Sequence, residues 1–244
     1  MNKSKILVGL IAIVYVLFIV FQFGGHSSMA LNFRSLILPS IAITYFISVR
    51  RKSIFFSLFL LFYAASDIMY LVSKYFNIPY SVDYFLGNSL YILAYGTLLF
   101  KVCKSINLIE ILKNYKIHLV VLTLLNIYIV YVLQAIIDPD LSMNNEYYLE
   151  LTYNLVMLFL LSASLLNYFY RDDRKSLLLF LGSICIVFSE VMGVAYLYVA
   201  QEGLLNFIST TLSLLAFYFI FKQSRLENTI KQEMNMVTDN SFNI

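Results

Sequence analysis

Tryptophan is absent from this chain, and only 13% of its 244 residues are Asp, Glu, Lys or Arg. Cysteine and histidine occur twice each, proline three times and glycine eight times. Each scarcity excludes something. His26 and His118 are expected on opposite sides of a bilayer, so zinc and haem have no ligand set and no cofactor is expected. Cys103 falls at a helix end and Cys185 about 14 Å into another helix on the rise of an α-helix, a separation that suggests neither a disulfide nor a metal pair. The net charge of +3 calls for no nucleic-acid partner, because basic loops retained on one side of a membrane account for it.

What the chain has instead is apolar length. Hydrophobic residues make up 61% of it, more than one soluble core can use. Eight apolar stretches lie near residues 6 to 23, 35 to 49, 54 to 75, 84 to 103, 117 to 137, 147 to 170, 176 to 200 and 203 to 221. Each is about long enough to cross a ~30 Å hydrocarbon core at ~1.5 Å per residue. With a cytoplasmic N-terminus, Lys3, Lys5, Arg50, Arg51, Lys52, Lys101, Lys104, Lys113, Lys116, Arg171, Arg174, Lys175, Lys222, Arg225 and Lys231 share one side, and only Arg34 and Lys74 fall on the other. That places 15 of 17 basic residues together, and moving one helix would scramble the partition. The expectation is an all-α integral membrane protein of eight transmembrane helices in the cell membrane, both termini cytoplasmic: one domain over 1–221 and a short polar tail over 222–244. The first run, at roughly 18 residues, exceeds the ~7 to 15 of a signal peptide and is expected to remain as a helix. The partner this composition implies is the bilayer itself; nothing in it fixes an oligomeric state.

Loops are short. The longest are 104 to 116, an amphipathic Lys-rich piece expected to contact headgroups, and 138 to 146, beginning Asp138-Pro139-Asp140. Neither carries a catalytic motif, so a site has to be built among the helices, from residues that the membrane makes costly to retain. Asp67 in the third stretch and Glu190 in the seventh are such residues. Counted from the cytoplasmic starts of their stretches they lie about 20 and 21 Å deep, nearly one level in the outer half. Each costs roughly 2.5 to 3.5 kcal/mol to insert if charged. Asn88, Tyr91 and Tyr95, then Glu150, Tyr153 and Asn154, and Asn206, Ser209 and Thr210 reach the same level from neighbouring stretches, which predicts a polar chamber open to the outer side. Glu150 lies near a helix end and is expected simply to reach water, and Tyr91 and Tyr95 are read first as packing residues.

Ser66-Asp67-Ile68-Met69 and Ser189-Glu190-Val191-Met192 match as Ser, acid, branched aliphatic, Met, each followed by a returning helix with an Asn, Asn88 or Asn206, near its start. This suggests a 4+4 tandem repeat. The Ser-acid pairs Ser66-Asp67 and Ser189-Glu190, with Gly87 of Phe85-Leu86-Gly87-Asn88, resemble the YhhN family, whose characterised members are lysoplasmalogenases. The likeness is spread over the chain, but these residues carry its specificity. Family members usually have Asp at the second acid, where Glu190 reaches one methylene further, and a His eight residues after the Gly, where this chain has Tyr95. A tyrosine with an ordinary pKa of about 10 is a poor base at neutral pH.

The resemblance implies hydrolysis of the vinyl ether of a lysophospholipid-like substrate. Such an ether is protonated on carbon and the resulting oxocarbenium ion is trapped by water, which suits one neutral and one ionised carboxyl. Asp67 and Glu190 would be acid and base, with Asn88, Tyr91, Tyr95, Asn154, Ser66, Ser189 and Asn206 around the substrate or its water. Two other accounts stand beside this one. Intramembrane acids also bind helices together through hydrogen bonds of about 0.6 kcal/mol each, and paired acids on repeat-related helices also serve proton-coupled transporters.

Overall fold

A computed structural model describes residues 3–49, 52–138 and 144–241. Arg50 and Arg51 of the basic partition, and Pro139 and Asp140 of the 138–146 loop, lie outside the described residues. The chain forms nine α-helices among those residues: α1 (Lys3–Phe23), α2 (Ser27–Ser48), α3 (Ile54–Phe76), α4 (Tyr80–Ser105), α5 (Leu108–Asn114), α6 (Lys116–Ile137), α7 (Asn145–Arg171), α8 (Arg174–Val194) and α9 (Gly203–Ser241). A π-helical turn, Ala195–Val199, extends α8. Seven of these, α2, α3, α4, α6, α7, α8 with its π turn, and α9 as far as Leu226, are long and apolar enough to cross a membrane, and Leu7–Phe23 of α1 is apolar but shorter. The chain is a multi-pass helical membrane protein.

Local chemistry sets the turns. Gly25 joins α1 to α2 at φ +79°, a left-handed conformation that glycine adopts without a Cβ penalty. Asn77 and Asp172 take the left-handed position after α3 and α7, where Asn and Asp are the side chains that tolerate it best. Asn144 and Asp173 open α7 and α8 by accepting the N–H of Tyr147 at 2.8 Å and of Ser176 at 2.6 Å, which satisfies a donor that the first helical turn leaves over.

Packing orders the helices as a ring that departs from chain order. α1 packs on α2, α2 on α3, α3 on α4, α4 on α7, α7 on α8 and α8 on α9, and α9 returns to α1. Tyr15 and Thr211 share a 2.8 Å hydrogen bond across that last seam. α6 stands outside the ring against α7, tied there by Asn126 Nδ2 donating to Ser162 Oγ at 2.9 Å, and its Val120, Leu124 and Ile127 stay exposed as an apolar outer face. The ring is filled by aromatics: Phe59 stacks on Phe217 at 5.0 Å, and Tyr63 meets the same Phe217 edge-on at 5.0 Å. The two ends of the bundle are here called the Asn77 end and the Asp173 end.

One boundary corrects the sequence reading in a way that matters. The second apolar stretch starts at Ser27, eight residues before the expected 35, because the polar residues Ser28, Asn32 and Arg34 find partners within the fold. Lys74 at the end of α3 donates to the Ser28 hydroxyl at 2.9 Å and to Asn32 Oδ1 at 2.7 Å, clamping α3 to the start of α2. Arg34 is therefore a residue of a helix body and not of a loop.

Candidate functional site

Asp67 on α3 and Glu190 on α8 are both half-buried, and a cluster of four tyrosines lies between them. The Tyr91 hydroxyl donates to Asp67 Oδ1 at 2.6 Å, and the Tyr95 hydroxyl to Glu190 Oε1 at 2.6 Å. Tyr91 and Tyr95, four residues apart, share one face of α4 and so serve one acid each. Tyr63 stands between them, its ring 4.6 Å from Tyr91 and 6.0 Å from Tyr95, with its hydroxyl 3.5 Å from Glu190 Oε1. Tyr153 of α7 closes the cluster, its ring 5.8 Å from Tyr95 and 6.3 Å from Tyr91. The four rings surround the two carboxyls, and the Tyr91, Tyr95 and Tyr63 hydroxyls occupy Asp67 Oδ1 and Glu190 Oε1, oxygens that would otherwise lie unbonded in an apolar interior. Tyr91 and Tyr95, read first as packing residues, thus do both jobs.

The two Ser-acid pairs behave alike. Ser66 Oγ donates to the Gly87 carbonyl of α4 at 2.9 Å, and Ser189 Oγ to the Ser209 carbonyl of α9 at 2.8 Å. Each serine fastens its helix to the next, one residue before the acid. Neither touches a carboxyl.

The asparagines divide. Asn88 Nδ2 donates to the Tyr84 carbonyl of its own helix at 3.0 Å and turns back along α4. Asn154 is buried, and its Nδ2 has no hydrogen-bond partner among the described residues. Asn206, fully buried, accepts Arg34 Nη1 at 2.7 Å and donates to Gln22 Oε1 of α1. Arg34 Nη2 donates to Ser209 Oγ at 3.3 Å, so the guanidinium sits beside the carbonyl anchor of Ser189. Arg34, Gln22 and Tyr63 belong to this polar interior and were not among the sequence candidates. Tyr63 carried a usable signal, since it precedes Asp67 by four residues and shares its helix face. Arg34 carried none, because Ser27, Ser28 and Asn32 precede it and Ser35 follows it.

A cavity does lie on the side where the chamber was expected, but the two acids do not line it. Toward the Asn77 end a cavity of roughly 260 Å³ is lined by Tyr80, Tyr84, Glu146, Tyr147, Glu150 and Tyr198 among others, and by neither Asp67 nor Glu190. Glu150, expected only to reach water, accepts the Tyr84 hydroxyl there, while its Oε2 has no hydrogen-bond partner among the described residues. Among the described residues no three His, Cys, Asp or Glu side chains gather as a metal site would need.

Fold and site define a class: a polytopic helical protein with two carboxyls held in its interior by a tyrosine cluster. No family model, no curated protein and no solved structure matches this chain.

Proposed function

We propose that this protein is a membrane-embedded lipid hydrolase of the YhhN type, cleaving the vinyl ether of a lyso-ether phospholipid with Asp67 and Glu190. The observation that carries the reading is the meeting of these two acids, from different helical hairpins, around one tyrosine cluster. One carboxyl gives its proton to the vinyl carbon. The other, ionised, stabilises the oxocarbenium ion and takes a proton from the attacking water, and the hemiacetal collapses to an aldehyde and a glycerophospho-alcohol. Tyr91 and Tyr95 are positioning residues that aim the carboxyls. Asn154, with its Nδ2 unbonded among the described residues, is the better placed of the asparagines to hold substrate or water. Asn88 is turned away by its bond to Tyr84.

The same reading takes α1 as an eighth span, with both termini cytoplasmic and a 4+4 repeat. Support for the repeat comes from the matching serine anchors of α3–α4 and α8–α9. Outside those hairpins the halves differ, since α1 closes the ring and α6 stands outside it.

The test is aldehyde release from lyso-ether lipids of several headgroups by the purified protein, beside Asp67→Asn and Glu190→Gln, with folding checked for each. Activity in the parent and its loss in both folded variants is the expected result. No release by the parent from any headgroup sinks the hydrolase. A proton-coupled carrier is the second reading, and the π turn that begins two residues after Gly193, close above Glu190, favours it. Proton-driven uptake into vesicles that survives where aldehyde release is absent would select it.

A further inference from the structure

At the Asp173 end, remote from the acids, α4, α7 and α8 converge on a cavity of roughly 250 Å³ lined by Lys101, Lys104, Arg171, Lys175, Asn167 and Ser105 among others. In the sequence these cations are scattered over three segments and serve to orient the chain. Folding gathers four of them around one concavity, and none of the described residues lining it is Asp or Glu. Asp173 approaches from the rim, its Oδ2 3.3 Å from Arg171 Nε.

The site is built as well as charged. Lys101 is only 9% exposed, unusual for a lysine, and its ammonium is steered by donating to Gln223 Oε1 of α9 at 3.0 Å. Ser105 Oγ donates to Asn167 Oδ1 at 3.3 Å, setting the orientation of a buried amide in the same wall. Phe55 and Leu179 add apolar lining. An arginine fork with lysine point charges is the set that phosphate oxygens fit.

We propose that this cavity binds a phosphate group, carried by a phospholipid headgroup or by a small phosphorylated solute. The volume exceeds what a bare ion needs and suits a glycerophosphate. The apolar wall gives the glycerol end, and the first carbons of a lipid, a surface to lie against. Basic pockets between membrane helices take headgroups in this way. The site is independent of the reaction proposed for the acids.

The purified full-length protein in maltoside micelles, which contain no phosphate, is titrated with inorganic phosphate and with glycerol 3-phosphate by calorimetry. Retention of added phosphatidylglycerol against phosphatidylcholine is followed by native mass spectrometry. Three proteins are compared: the parent, Lys104→Gln with Lys175→Gln, and the control pair Lys113→Gln with Lys116→Gln, which removes equal charge outside the cavity. The expected result is binding of one class of probe by the parent, weakened about tenfold by the cavity pair and unchanged by the control pair. Solute binding assigns a phosphorylated solute. Lipid retention alone assigns a headgroup. Binding of neither class overturns the proposal, and so does equal weakening by the control pair, which would mark general attraction to a basic surface. If the cavity pair does not fold, Lys104→Gln alone, at an exposed residue, is expected to weaken binding about threefold, and no change in it also overturns the proposal.

Discussion

Arg34 carries a full charge into the interior of an apolar bundle, and what makes this tolerable is a short chain of amides and hydroxyls: Asn206 and Ser209 accept from it, and Asn206 passes the polarity on to Gln22. The chain is asymmetric in a testable way. Removing the charge removes its need for partners, whereas removing the partner strands the charge. Arg34→Met is therefore expected to cost about 1 kcal/mol and Asn206→Ala about 2 to 3 kcal/mol, read from thermal or denaturant unfolding in micelles. Equal costs would mean that Asn206 is not the main acceptor. The acids were legible in the sequence because a carboxyl within an apolar run is expensive enough to demand a reason. Arg34 was not, because the polar residues around Ser28 and Asn32 dilute the hydropathy of that turn, and the groups that reward its burial lie on the last helix of the ring. Tyr63 was obscured differently. In a chain with 17% aromatic residues one more tyrosine carries little information until its neighbours are known.

Among the elements, the α8–α9 hairpin is the most tightly joined, and Gly182 is the reason. A Cβ there would lie 2.6 Å from Ile220 Cγ1 and 3.4 Å from the Ala216 carbonyl. Gly182→Ala gains helix propensity of about 1 kcal/mol but overpacks this contact at a cost of about 1 to 3 kcal/mol. Net destabilisation is expected, and Gly182→Ala with Ile220→Ala should be less unstable than the sum of the two single changes. Simple additivity in unfolding measurements would show that the helices separate freely at this point. At the start of α8, burial pushes the Asp173 carboxyl up, but the Ser176 hydrogen bonds and then the charges of Arg171 and Lys175 outweigh it and hold it below the ordinary aspartate range. A depressed carboxyl stabilises the fold fully above its unfolded value of about 3.9 and loses that contribution as pH falls through the folded value. Asp173→Ala is expected to cost about 1 kcal/mol at pH 7, with the gap from the parent narrowing below about pH 4. A gap that stays constant down to pH 3 would assign the effect to packing alone. The existence of these helices followed from hydropathy, whereas the caps Asn144 and Asp173 were found only in the structure. The closeness of α8 to α9 did not, since an isolated Gly in an apolar run reads the same whether it faces lipid or another helix.

At the scale of the whole molecule the basic residues give orientation a direct test. With Lys104, Arg171 and Lys175 at the Asp173 end, that end is expected in the cytoplasm. A fluorescent protein fused after Ile244 should therefore fold and fluoresce, and alkaline phosphatase at the same point should be silent. Activity of the phosphatase would invert the arrangement. The ring order was beyond the sequence, because apolar helices carry no label for their neighbours, and α4 meets α7 only after the chain has made α5 and α6 and set α6 outside. That order has a consequence in time. Arg34 is separated from Asn206 by 172 positions, so at about 5 to 20 residues per second the ribosome makes the acceptor roughly 9 to 34 s after the donor. For that interval the nascent protein holds a guanidinium in or near the bilayer with its eventual acceptors still unsynthesised, and the seam between α1 and α9 stays open until α9 has been made.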